Sequence, residues 1–221
     1  MIDLEKVSKV YRTRNGEVRA LDRVSLSVDR GEFLVVRGPS GSGKSTLLLT
    51  IGGMIHPTEG RVIVNGRDLY AMSGRERARF RAEHIGFIFQ MFYLVPSLNV
   101  IENVLLSASA AKGKAELSRA QELLERLGLS GREHHRPSEL STGERQRTAI
   151  ARALFNRPEI ILADEPTGNL DPDNAAEVMG YLSEFHRDGG TVIVVTHESM
   201  AERYADRVVR LREGHIETGR P

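Results

Sequence analysis

The sequence predicts an α/β fold: a mainly parallel sheet with helices, an antiparallel β subdomain and a helical insertion. Three observations predict it. A glycine-rich loop, Gly38-Pro39-Ser40-Gly41-Ser42-Gly43-Lys44-Ser45-Thr46, stands between a short apolar run and a stretch with helical character. Short apolar runs alternate with helical stretches around it. Between about 91 and 155 the strand-like runs give way to helical patterning, and afterwards they resume.

The loop comes first. Phe33-Leu34-Val35-Val36 before it reads as a buried parallel strand, and Leu47, Leu48, Leu49 and Ile51 after it as the apolar part of a helix. The loop fits G-x-x-x-x-G-K-[ST], the phosphate-binding P-loop pattern. The residue types suit that chemistry. Gly41 and Gly43 let the backbone bend so that successive N–H groups face inward. A helix starting near Lys44 adds its free N–H groups and the positive end of its dipole. Lys44 supplies a mobile charge for β- and γ-phosphates, and the Ser45 hydroxyl suits Mg²⁺, which favours hard oxygen ligands.

Composition sets outer limits. The 221 residues suit one or two compact units. A net charge of +1, with no long run of one sign, gives no argument for a nucleic-acid partner. There is no cysteine, which removes disulfides and thiolate metal sites and fits a reducing compartment. No stretch approaches the roughly 18 apolar residues of a membrane span. The start, Met1-Ile2-Asp3-Leu4-Glu5-Lys6, lacks a secretory apolar region, so the expected location is the cytoplasm.

The remaining elements follow in order. Val24, Leu26 and Val28 alternate with Ser25, Ser27 and Asp29, as in a half-buried antiparallel strand, with Ile2, Leu4 and Val7-Val10-Tyr11 as its partner and Asn15-Gly16 as a turn. Tyr11 before that turn is either a base-stacking ring or an ordinary sheet-face tyrosine. Gly60–Gly66 reads as a strand closed by a turn, residues 75–82 as a charged helix, and Ile85–Phe89 as a buried strand ending at Gln90. From 91 to 129 the chain reads loop, helix, helix. Asn99 or Asn103 opens one helix, and Leu117, Ala120, Leu124 and Leu127 form an apolar stripe. His134-His135 has no third ligand at a suitable spacing and reads as surface. Ile160–Ala163 is a strand leading to Asp164-Glu165-Pro166, and Asp171-Pro172 opens a helix ending at Gly189-Gly190. Thr191–Val195 is a strand reaching Thr196-His197, and the chain closes with a hairpin around Glu213-Gly214.

In an α/β sheet the carboxyl ends of parallel strands gather on one edge, where ligands bind. Gln90, Asp164 and His197 stand at such ends. Asp164 would emerge beside the P-loop and hold Mg²⁺, directly or through water. Glu165 can activate an attacking water. His197 can touch the γ-phosphate or orient that water, and Gln90 can reach metal or water. Each alone reads equally well as a polar residue capping a strand; together they point to one nucleotide site.

At these residues the sequence resembles the nucleotide-binding subunit of an ABC transporter. Leu140-Ser141-Thr142-Gly143-Glu144 resembles the LSGGQ signature, and Ile161 to Asp171 resembles Walker B plus D-loop. Ile51-Gly52-Gly53-Met54, Pro57-Thr58-Glu59-Gly60 and Ala163 to Asp171 are similar to the LolD/MacB/FtsE branch. The resemblance implies a P-loop NTPase with a RecA-like, mainly parallel sheet. It divides the chain into a β subdomain plus ATPase core (1–90 and 156–221) and a helical subdomain with the signature (91–155). It implies an ATPase using ATP and Mg²⁺, with Tyr11, the P-loop residues and Gln90 on the nucleotide and Glu165 and His197 in catalysis. It implies a head-to-tail homodimer in which Ser141, Gly143 and Glu144 of one subunit face the other's nucleotide. It also implies a transmembrane permease partner, which would hold the chain on the inner face of the cell membrane.

Thr142 and Glu144 depart from the signature's second Gly and its Gln, and Glu144 places negative charge near the nucleotide. Met91-Phe92-Tyr93-Leu94-Val95-Pro96 is unusually apolar for a loop beside an active site. These side chains either pack inside the helical insertion or, as the resemblance implies, form a groove for a short helix of the membrane partner. Other classes fit less well. A DNA-repair ATPase of this family needs a long coiled-coil insertion, a translation factor carries two ATPase units, and a non-hydrolysing regulator has no use for Glu165 with His197.

Overall fold

Residues 1–14, 16–110 and 116–217 are described by the computed structural model. The chain opens with β1 (Ile2–Thr13) and β2 (Gly16–Val28), followed by β3 (Phe33–Arg37) and α1 (Lys44–Ile51). Next come β4 (Glu59–Val64), β5 (Arg67–Asp68), α2 (Gly74–His84) and β6 (Ile85–Phe89). Helices α3 (Val100–Ala110), α4 (Leu117–Arg126) and α5 (Thr142–Leu154) lead to β7 (Ile160–Asp164), α6 (Pro172–Arg187) and β8 (Thr191–Thr196). The closing strands are β9 (Arg207–Arg212) and β10 (His215–Glu217).

Two sheets result. One is antiparallel with the order β2-β1-β4-β5; the other has the order β10-β9-β3-β8-β7-β6, parallel except for its last hairpin. In the first sheet Ile2 faces Val28 and Leu4 faces Leu26. Val24, Leu26 and Val28 are buried and Ser25 and Ser27 exposed, as their alternation requires. Of the expected Asn15-Gly16 turn, Asn15 lies outside the described residues; the strands pair up to Thr13 opposite Gly16.

The central strands show no inside–outside alternation, because both faces are covered. Alternate residues still go to different cores. Phe33, Val35, Ile161, Ala163, Val192 and Val194 pack with α3, α4, α5 and α6. Leu34, Val36, Ile160, Leu162, Ile193 and Val195 pack with α1 and the antiparallel sheet. The helices between β6 and β7 therefore share one apolar core with a face of the parallel sheet.

Local expectations are refined here. Asn99, not Asn103, opens α3: its Oδ1 accepts the Glu102 N–H and the Glu102 carboxylate accepts the Asn99 N–H, both at 2.9 Å. Asn103 is buried inside the helix and ties down the loop before it, through Val95 N–H at 2.7 Å and the Leu98 carbonyl at 3.1 Å. The stripe on α4 holds at Ala120, Leu124 and Leu127, with Leu123 joining it. Leu117 is exposed instead, because it is the helix's first residue and the apolar cluster begins at Ala120.

Candidate nucleotide site

The P-loop connects β3 to α1. Gly43 caps α1 in the left-handed region, with φ 104°, and a Cβ there would run into the Ala20 carbonyl. Only glycine satisfies both conditions. The bend turns Lys44 inward, where its side chain is only 7% exposed. The ammonium donates to the carbonyls of Gly38 at 2.8 Å and Pro39 at 3.1 Å, and it lies 3.7 Å from Glu165 Oε1.

β7 delivers the carboxylates, pairing in parallel with β8 on one side and β6 on the other. Asp164 Oδ1 accepts the Ser45 hydroxyl at 3.0 Å. Burial pushes the Asp164 carboxyl above its ordinary range, against that hydrogen bond. The next residue, Glu165, adopts φ 45°, which is uncommon for a non-glycine residue and costs backbone strain. Its N–H donates to the Val195 carbonyl at 2.9 Å. Its carboxylate accepts from the Thr196 hydroxyl at 2.8 Å and from the His197 N–H at 3.3 Å, and it meets His197 Nδ1 at 3.0 Å. Burial pushes Glu165 up, but the hydrogen bonds from His197 and Thr196 outweigh it and hold the carboxyl below its ordinary range. Neighbouring carboxylates are thus driven in opposite directions.

A cleft of about 670 Å³ collects the P-loop, Gln90, Glu165 and His197, with Ala20 on its wall. Gln90 stands directly after β6, and its carbonyl accepts from Asn169 Nδ2 at 3.0 Å. Tyr11 is not among the residues lining this cleft. It stands partly exposed on β1, with the Lys9 ammonium 5.2 Å from its ring centroid.

Ser141, Gly143 and Glu144 also lie outside the cleft of their own chain, at the start of α5. Ser141 caps the helix: its Oγ accepts the Glu144 N–H at 3.2 Å, while the Glu144 carboxylate accepts the Ser141 N–H at 2.8 Å. Glu144 also accepts from Arg132 Nε at 2.9 Å. The Ser141 N–H, more than any other partner, holds the Glu144 carboxyl low. The negative charge noted in the sequence is therefore matched locally. A Cβ on Gly143 would strike the Asn174 side chain at the start of α6, so the small residue is needed for helix packing.

Sequence reasoning missed several neighbours. Thr196 directly precedes His197, and that position at a strand end was a usable signal. Asn169 comes from the loop after Glu165, within the motif already quoted but with no role assigned to it there, and Ala20 comes from the antiparallel sheet and carries no local pattern. His134 is exposed, and His135 is half-buried with its Nε2 3.2 Å from Arg132 Nη1.

Comparison with known proteins agrees with this geometry. The family model described as ABC transporter matches residues 21–168. The chain is 43% identical over 219 residues to the macrolide export ATP-binding/permease protein MacB 2 of Aeromonas hydrophila, covering 98% of this chain and 34% of that protein. It is 45% identical over 218 residues to the probable syringafactin export ATP-binding/permease protein SyfD of Pseudomonas syringae, covering 98% of this chain and 33% of the other. The chain thus spans about a third of the length of these relatives. Among solved structures it matches the dimeric, post-hydrolysis ATP-binding cassette MJ0796 bound to ADP and Pi, with a TM-score of 0.93 and 40% identity, over 98% of this chain and 97% of that one. The chain belongs to the ABC transporter family, as an ATPase cassette of its MacB-like branch.

Proposed function

We propose that this cassette binds ATP with Mg²⁺ in the P-loop cleft, hydrolyses it with Glu165 as general base, and works as a head-to-tail pair that drives a transmembrane permease. The observation that carries the reading is the placement of the Glu165 carboxylate within 3.7 Å of Lys44, beside the Ser45–Asp164 pair. The phosphates take Lys44 and the inward N–H groups of the loop. Ser45 and Asp164 offer adjacent hard oxygens, which fits Mg²⁺, with Gln90 on the rim of the cleft. When bound, the metal neutralises charge on the β- and γ-phosphates. Water attacks the γ-phosphorus, Glu165 takes its proton, and the bond to the ADP oxygen breaks, giving ADP and phosphate. His197 holds Glu165 and faces the same cleft. The partly exposed ring of Tyr11 suits stacking on the base.

Pairing follows from what the cleft lacks. Ser141 and the N–H groups at the start of α5 form a second phosphate-binding end, yet they stand away from their own P-loop. A head-to-tail partner brings them to the nucleotide. Among the described residues no helix is long and apolar enough to cross a membrane. The permease partner would hold the pair on the inner face of the membrane. The relatives named above are export proteins by name, which supports export over lipoprotein release or mechanotransmission as the work driven.

The test mixes two inactive chains, Lys44→Ala and Ser141→Arg. Their heterodimer has one site with both lesions and one with neither, so ATPase activity returns. Heterodimers that form but stay inactive overturn the head-to-tail arrangement.

A further inference from the structure

Glu165 is held by more than its own strand. Thr196, the last residue of β8, lies beside it and is 1% exposed, which keeps water from competing for its hydroxyl. That hydroxyl accepts the Glu198 N–H at 3.0 Å and donates to Glu165 Oε2 at 2.8 Å. A hydroxyl has one proton. With the Glu198 N–H directed at its oxygen, the proton is aimed at Glu165. The Glu198 carboxylate in turn accepts from Thr167 at 2.7 Å, in the loop that leaves Glu165. The two carboxylate oxygens are thereby made different. Oε2 is occupied by Thr196 and the His197 N–H, whereas among the described residues Oε1 meets the Lys44 and His197 side chains, the two that the proposed function assigns to phosphate.

We propose that Thr196 is a positioning residue for hydrolysis: its hydroxyl, fixed by the Glu198 N–H, pins Glu165 Oε2 and leaves Oε1 as the oxygen that takes the proton from water. The Thr167–Glu198 hydrogen bond ties this setting to the loop after Glu165. The inference rests on Glu165 being the general base.

The test compares Thr196→Val and Thr196→Ser in the full chain, with Glu165→Gln as control. Val keeps the shape and removes the proton; Ser keeps the proton and removes a methyl. Thr196→Val lowers kcat roughly 10- to 100-fold, the range for a hydrogen bond to a charged group. KM for ATP stays unchanged while kcat falls. Thr196→Ser restores kcat. A packing role gives the opposite order, with Ser worse than Val, and that result overturns the proposal. If Val fails to fold, Thr196→Ala against Thr196→Ser makes the same comparison. A slow Glu165→Gln beside a fast Thr196→Val overturns the role of Thr196 alone. A fast Glu165→Gln removes Glu165 as base and the inference with it.

Discussion

Lys44 Nζ lies 3.7 Å from Glu165 Oε1, so the cation of the P-loop and the acidic end of β7 hold each other. In the proposed function, incoming phosphates take Lys44 from this contact and from the Gly38 and Pro39 carbonyls. Glu165→Gln removes the competing charge. It raises ATP affinity, because the phosphates no longer compete with a carboxylate for the buried ammonium. It lowers hydrolysis by roughly 10²–10⁴-fold, the contribution of a positioned base. Titration with a fluorescent ATP analogue at low and high salt checks the first effect; unchanged affinity at both removes Lys44–Glu165 as a competitor.

The P-loop, the strand ends and the cap at Asp171 were legible because each is a local pattern of a few residues, whereas the choice of Asn99 over Asn103 needed the structure. The division of the core was also latent in the sequence: period-two alternation within β3, β7 and β8 assigns residues to two faces, but an all-apolar run hides it. Strand order was not legible, since parallel neighbours such as β3 and β8 are far apart in the chain. For the same reason the Ala20 wall and the Thr167–Glu198 contact carried no signal. The charge of Glu144 was visible, whereas its pairing with Arg132 depends on how a loop folds back.

Asp164 and Glu165 oppose each other in pH dependence. Burial raises the folded Asp164 pKa, so ionised Asp164 costs stability at neutral pH, and that cost disappears as pH falls through the raised value. Against burial, hydrogen bonds from His197 and Thr196 depress Glu165, so its contribution is present above the ordinary value and is lost as pH falls through the lower folded value. Asp164→Asn therefore raises Tm of the nucleotide-free protein at pH 7 and weakens the Mg²⁺ dependence of ATP binding. Glu165→Gln makes acid unfolding less steep. Melting curves from pH 3 to pH 8 check both; a lower Tm for Asp164→Asn at pH 7 contradicts the first.

Gly43→Ala tests the cradle itself. The new Cβ meets the Ala20 carbonyl and sits at an unfavourable positive φ. Stability falls by about 1–3 kcal/mol, and ATP binding is lost because the inward N–H groups shift. Retained ATP binding with unchanged melting means the loop adopts another path.

The last prediction concerns residues 91–96. Met91 and Tyr93 are 65% and 64% exposed, so these two side chains do not pack inside the helices after β6. The turn is held in shape from beneath. Phe92 and Tyr93 both have positive φ, and the Arg152 guanidinium, from α5, donates to both of their carbonyls. Phe89 lies edge-on to the Tyr93 ring at 5.1 Å, and a cleft of about 340 Å³ opens beside them, lined by Phe87, Ser107 and Asn156 among others. A turn braced by Arg152 that presents apolar side chains to solvent is suited to a protein partner. Burying one such aromatic side chain contributes roughly 1.5–3 kcal/mol. Replacing Tyr93 and Leu94 by Glu therefore abolishes docking to the permease while leaving melting and ATP binding intact, because Arg152 binds backbone carbonyls that the substitutions keep. Co-sedimentation with permease-containing membranes, measured beside melting and nucleotide titration, checks this. A folded double mutant that still co-sediments places the docking surface elsewhere.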